Sequence, residues 1–81
     1  MKIPRDISGE ELVKKLAKYG YQVTRRTGSH IRLTTTVYGE HHITIPSHSP
    51  LKVGILNSVL SDVAVHIKTP KDTLIKDLFA K

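Results

Sequence analysis

The sequence predicts a small α+β domain in which helices cover one face of a three-stranded antiparallel sheet. Segments near both ends carry apolar residues at helical spacing, and three segments between them alternate apolar with polar residues. Short turns join the three strands, as in an antiparallel meander. The predicted order is α-β-β-β-α with a short C-terminal helix. With 81 residues, the chain has room for a single domain spanning residues 1–81.

The first helix is predicted over residues 9–19. Ser8 and Glu11 have the spacing of a capping box, in which each side chain bonds the other residue's backbone amide. Gly20 follows the last helical residue and can adopt the left-handed conformation that ends a helix. The apolar face of this helix comprises Leu12, Val13, Leu16 and Ala17.

Three strands are predicted, over residues 21–26, 30–36 and 41–46. Because side chains alternate between the two faces of a strand, one set of residues is predicted to face the core: Val23, Ile31, Leu33, Ile43 and Ile45. The other set is predicted to face away from it: Thr24, Arg26, His30, Arg32, Thr34, His42 and Thr44. The uncovered face of the sheet is therefore expected to be basic and rich in hydroxyl groups.

Two helices complete the prediction. The second is expected over residues 51–62, with Ser49 as its N-cap and Pro50 in its first turn. Its apolar positions are Val53, Leu56, Leu60 and Val63. Residues 69–72 begin a short terminal helix, whose apolar positions are Leu74, Ile75, Leu78 and Phe79.

Composition limits the partners and the compartment. Thirteen Lys and Arg against seven Asp and Glu leave a formal net charge of +6, which favours a polyanionic partner such as nucleic acid or an acidic protein. A membrane surface fits less well, because no predicted helix combines a wide basic face with a large apolar one. The chain has no cysteine, no signal-peptide pattern and no membrane-spanning run, so we predict a cytoplasmic protein.

The turn around residues 27–30 contains the candidate catalytic residue. His30 follows Gly28 and Ser29 and lies among three arginines. Cleavage of RNA needs a base for the 2′-hydroxyl, an acid for the leaving oxygen and cations for the phosphorane charge. Histidine can serve as either base or acid near neutral pH. The alternative is that His30 is only a polar turn residue, and spacing alone favours that alternative because the tripeptide is common.

The basic residues predict a phosphate-binding surface, and the alternative is an ordinary solvated surface. Its cations would be Lys14, Lys15, Lys18, Arg25, Arg26, Arg32 and Lys52. Tyr38 is a platform for base stacking, a turn residue or a partial core plug. We predict no metal site and no cofactor. The chain lacks the helical two-histidine zinc motif, and the adjacent His41 and His42 point to opposite faces of a strand.

Residues 16–65 resemble the HicA (YcfA-like) toxin family of toxin–antitoxin systems. The resemblance rests on an ordered set of short motifs: Gly20-Tyr21, Arg25-Arg26, Gly28-Ser29-His30, Ile43-x-Ile45-Pro46-x-His48 and Leu51-Lys52-x-Gly54-x-Leu56. One departure is Ile55, where many members have threonine. The motif-bearing core is about 8–65, and residues 66–81 form a helical extension outside the motifs, serving partner contact or extra packing.

The resemblance implies a fold similar to the double-stranded-RNA-binding domain and the activity of an mRNA interferase, an endoribonuclease. It implies that His30 is catalytic and that a HicB-like antitoxin covers it. We predict RNA contacts from Arg25, Arg26, Gly28, Ser29, Arg32, His48 and Lys52. Two alternatives stay open: a non-catalytic RNA-binding module of the same fold, and an adaptor whose basic face meets an acidic protein.

Overall fold

The computed structural model describes residues 3–79 and has the predicted α+β architecture. Its elements are α1 (Gly9–Leu16), continued by a 3₁₀ turn (Ala17–Tyr19), β1 (Gln22–Thr27), β2 (His30–Thr35), β3 (His41–Pro46), α2 (Val53–His66) and α3 (Lys71–Phe79). The strands form one sheet in the order β1-β2-β3, and both pairs are antiparallel. The predicted order of elements is therefore confirmed.

Both predicted ends of the first helix are confirmed. The Ser8 hydroxyl accepts from the Glu11 amide at 3.1 Å, and the Glu11 carboxylate accepts from the Ser8 amide at 3.3 Å. Gly20 has a φ of 83°, and a Cβ added there would lie 2.3 Å from Cγ2 of Val37. Glycine is required at this position both by the left-handed backbone and by the close approach of the β2–β3 connection.

One hydrophobic core joins the three helices to the inner face of β2 and β3. Its strand residues are Ile31, Leu33, Ile43 and Ile45, and its helix residues include Leu12, Leu16, Leu56, Leu60, Val63, Leu74, Ile75 and Leu78. All of these are at most 6% exposed. The C-terminal helix α3 therefore packs into the domain through Leu74, Ile75 and Leu78.

Two predictions for β1 are wrong, the orientation of Arg26 and the burial of Val23, and a β-bulge causes the first of them. Val23 pairs with Leu33 and Arg25 with Arg32, so the register shifts at the extra residue between them. Beyond the bulge the alternation of side chains reverses. Arg26 consequently pairs with Ile31, on the helix side of the sheet. Val23, predicted to lie in the core, is 41% exposed because β1 is an edge strand that contributes no buried residue.

The predicted start of the second helix is also wrong. Helix α2 begins at Val53 and ends at His66, and its N-cap is Lys52, which makes no side-chain capping bond. Residues 49–51 precede the helix, and the Leu51 amide donates to the Ile7 carbonyl at 2.8 Å. Leu51 is buried at this end of α2, whereas Val53, predicted to face the core, is exposed.

The face of the sheet turned away from the core is here called the open face. Pairing across the three strands places on it Thr24, Arg25, Thr27, His30, Arg32, Thr34, His42 and Thr44. Their side chains are exposed, except that Thr34 is half-buried. The open face is basic and hydroxylated as predicted, with Arg25 rather than Arg26 as its β1 arginine.

Candidate functional site

Three segments that are distant in the sequence meet at one end of the sheet. The Ser47 amide donates to the Ser29 carbonyl at 2.7 Å, which ties the β3–α2 connection to the β1–β2 turn. The Gly9 amide donates to the His48 carbonyl at 2.9 Å, which ties the same connection to the start of α1. These backbone bonds hold the turn bearing His30 against a connection bearing His48.

His30 is the first residue of β2 and lies at this end of the open face. It pairs with Thr27 on one side and with Pro46 on the other. Its side chain is exposed, because the inward position of this part of β2 belongs to Ile31. Gly28, in the turn, has a φ of 52°, a conformation that favours glycine. The structure therefore presents His30 to solvent on a tight, well-anchored turn.

The three arginines near His30 are divided between the two faces of the sheet. Arg25 and Arg32 pair directly across β1 and β2 on the open face. Arg26 points the other way and donates two hydrogen bonds to Glu10 of α1, at 2.8 and 2.9 Å. These bonds lower the pKa of the Glu10 carboxyl. The charge of Arg26 is thus already partnered by Glu10. The sequence had instead predicted Arg26 on the uncovered face, as a cation available to phosphate.

The lysines are divided as well. Lys52 is exposed at the start of α2, next to the connection that carries His48, which is also exposed. On α1 and its 3₁₀ turn, Lys15 donates to the Leu78 carbonyl and Lys18 to the Asp77 carboxylate. These two lysines therefore join α1 and its 3₁₀ turn to α3, and both Lys14 and Lys18 are exposed.

Sequence reasoning missed a chain of polar side chains that crosses the open face. His42 Nε2 lies 2.7 Å from a Glu40 carboxylate oxygen, and His42 Nδ1 lies 2.8 Å from the Thr34 hydroxyl. The Thr34 hydroxyl is in turn 3.1 Å from the Thr24 hydroxyl. The i, i+2 spacing of Glu40 and His42 was the available signal, but the pairing of strands was needed to add the threonines.

The adjacent His41 lies on the opposite face of β3, as predicted. Its ring stacks on that of His66 with centroids 4.3 Å apart, and its Nδ1 lies 2.7 Å from the Tyr21 hydroxyl. Burial raises the pKa of Tyr21 to about 12. This cluster joins α2 to the sheet, away from the open face. Within residues 3–79 no group of three or more histidine or carboxylate side chains is placed to hold a metal ion.

Tyr38, predicted as a stacking platform, a turn residue or a partial core plug, lies exposed in the turn between β2 and β3, so the core plug is wrong. Among the described helices, none is long and apolar enough to cross a membrane.

Fold and site together define a small basic α+β domain that presents a histidine on the first hairpin of its sheet. The model of the family described as HicA toxin of bacterial toxin–antitoxin matches residues 9–65. This match covers well over half of the chain and includes every predicted site residue. The chain belongs to the HicA toxin family. Neither the curated proteins nor the solved structures contain a match.

Proposed function

We propose that the protein is the toxin of a type II toxin–antitoxin system and acts as an endoribonuclease, an mRNA interferase, with His30 as its general acid/base. The observation that carries this proposal is the exposure of His30 at the end of a basic, uncovered sheet face. Membership of the HicA toxin family supports the toxin class. The cytoplasm, where mRNA is found, is the proposed site of action.

The chemistry uses the 2′-hydroxyl of the RNA itself. His30 removes the proton from that hydroxyl, its oxygen attacks the adjacent phosphorus, and the bond to the 5′ oxygen breaks. The products are a 2′,3′-cyclic phosphate and a 5′-hydroxyl, once a proton has reached the leaving oxygen. Nearby guanidinium groups stabilise the charge that develops on phosphorus. His30 supplies the proton transfer and the guanidinium groups supply the charge stabilisation, so we propose that the route proceeds without a metal.

The proposed RNA-binding residues are those predicted: Arg25, Arg26, Gly28, Ser29, Arg32, His48 and Lys52. Their positions support an RNA path that enters over the β3–α2 connection and runs along the open face past Arg25 and Arg32. Arg26 must exchange Glu10 for a phosphate to take part, so we rank it below the two open-face arginines.

We expect Arg25→Ala and Arg32→Ala each to weaken RNA binding in a salt-dependent way. Loss of one phosphate contact on single-stranded RNA lowers the slope of log K against log salt by about 0.7. Arg26→Ala should change the slope less, because Glu10 already partners its charge. Fluorescence anisotropy of a labelled single-stranded RNA over a potassium chloride series measures these slopes. A larger loss in Arg26→Ala than in either open-face variant would contradict this ranking.

The family implies an antitoxin partner. We propose that this partner is a HicB-like protein which covers His30 and thereby blocks access of mRNA to the open face. The net charge of +6 suits an acidic partner surface that replaces the RNA phosphates.

Incubation of the purified protein with a long RNA in EDTA tests the proposal directly. We expect the RNA to be shortened and the new 5′ ends to carry hydroxyl groups. Intact RNA that is nevertheless bound at low salt would instead support a non-catalytic RNA-binding module. Intact RNA that is not bound would support a protein-binding adaptor.

A further inference from the structure

The polar chain crosses the open face from the β2–β3 connection to β1. Glu40, His42, Thr34 and Thr24 link the β2–β3 connection to all three strands through contacts of 2.7, 2.8 and 3.1 Å. The side chains of His42 and Glu40 are 39% and 70% exposed. Exposed polar pairs of this kind add little to stability. The chain therefore leaves exposed polar atoms that a ligand can contact.

The β-bulge contributes to the same surface. It turns both Thr24 and Arg25 toward the open face, where regular alternation would have placed only one of them. Bulges occur frequently next to binding and active sites, where they redirect a side chain. Here Thr24 closes the polar chain, and the redirected Arg25 lies beside Arg32.

The chemistry of the chain selects the part of RNA that it can bind. A carboxylate only accepts hydrogen bonds, so in the neutral ring of His42 Nε2 donates to Glu40 and Nδ1 accepts from Thr34. One Glu40 oxygen keeps both its lone pairs for other donors. A carboxylate repels phosphate, so this end of the open face is suited to a nucleobase with N–H donors rather than to the RNA backbone.

Guanine matches this acceptor best. Its N1–H and N2–H groups are adjacent on the Watson–Crick edge and can bond both oxygens of one carboxylate. Uracil offers one such N–H, and cytosine and adenine each offer one exocyclic amine. Proteins that read single-stranded RNA use these edges of unstacked bases. A bidentate contact to a base also discriminates more strongly than a single bond.

The position of the chain relative to His30 sets where this base lies in the RNA. His30 and Thr34 are four residues apart on β2, about 13 Å along the strand. Arg32 lies between them on the same face. A strand of RNA with its scissile phosphate at His30 can therefore follow the arginines and place a neighbouring nucleotide, at a fixed offset, against Glu40.

We propose that Glu40, held in place by His42 and Thr34, is a specificity-determining residue that binds the Watson–Crick edge of a guanine in the RNA substrate. This inference rests on the proposed function, because it takes RNA as the ligand of the open face. It assigns to the far end of that face a role in choosing which sites the protein cleaves.

A binding experiment with the His30→Ala chain tests the inference without requiring cleavage. The probes are labelled uridine oligomers that carry guanine, adenine, cytosine or uracil at one internal position. We expect the guanine probe to bind about tenfold more tightly than the other three. Adding Glu40→Gln should bring the four affinities close together, because an amide cannot accept both N–H groups. Asp72→Asn, a matched loss of one exposed carboxylate on α3, should keep the preference.

The ratio of affinities is the readout, since loss of a negative charge changes binding of all four probes alike. A guanine preference that persists in Glu40→Gln, or equal binding of the four probes by the parent chain, would overturn the inference. Sequencing of cleavage sites provides the second measurement: guanine should be enriched at one fixed offset with the parent protein and not with Glu40→Gln. If the parent does not cleave RNA but the guanine preference depends on Glu40, the catalytic proposal fails and the base site stands.

Discussion

Replacing His30 with alanine should lower the rate of RNA cleavage by about 10²- to 10⁴-fold, the contribution usual for a general acid or base. The proposed reaction needs a group that first takes a proton from the 2′-hydroxyl. Alanine cannot do this, and water is a poor substitute near neutral pH. The same variant should no longer arrest growth when it is produced in cells.

The fold should survive this substitution. His30 lies exposed at the start of β2, and its backbone pairs with Thr27 and Pro46 regardless of its side chain. RNA binding should persist too, because Arg25, Arg32 and Lys52 supply most of the proposed phosphate contacts. The rate constant should therefore fall much more than the affinity, which separates a catalytic residue from a binding one.

Single-turnover cleavage of a labelled RNA measures the rate, and thermal unfolding checks the fold. Thr73→Ala, an exposed change on α3 outside the site, serves as the control and should match the parent in both. Cleavage or growth arrest by His30→Ala at the parent level would refute the catalytic assignment.

The elements that could be predicted from sequence are those fixed by neighbouring residues. The capping box at Ser8 and the left-handed Gly20 depend on side chains and backbone within one helix, and both are confirmed. The exposure of His30 followed from the alternation of Ile31 and Leu33 in the same strand. Its catalytic role stays a prediction.

The features that could not be predicted depend on how distant segments meet. The bulge after Val23 is defined by the pairing of β1 with β2, and the residues of β1 alone do not predict it. The partnership of Arg26 with Glu10 follows from that bulge, because it turns the arginine toward α1. The start of α2 at Val53 follows a segment whose Leu51 amide bonds to Ile7, before α1.

The candidate site shows the same division. Its histidine and its positive charge are properties of one hairpin and were visible in the sequence. The polar chain of Glu40, His42 and two threonines needs three strands in register before its members come within hydrogen-bonding distance. Its proposed role in specificity therefore emerged only from the structure.

Gly9→Ala should destabilise the protein strongly, by about 3 kcal/mol, although alanine is the better helix former. A Cβ on Gly9 would lie 2.0 Å from the Pro46 carbonyl oxygen and 3.1 Å from Cα of Ser47. Both neighbours are backbone atoms, so α1 must move away from the end of β3. That movement also breaks the bond from the Gly9 amide to the His48 carbonyl.

Gly54→Ala is the matched control, because it makes the same change near the start of α2. No atom lies within 4 Å of a Cβ added there, so the variant should be about 0.5 kcal/mol more stable than the parent. Urea unfolding of both variants measures the two effects, and their opposite signs are the test. A Gly9→Ala protein as stable as the parent would show that α1 does not press against the β3–α2 connection. The β3–α2 connection would then be held by the His30 turn, through the bond between Ser47 and Ser29, but not by α1. Helix α1 would in that case not help to fix the position of His30.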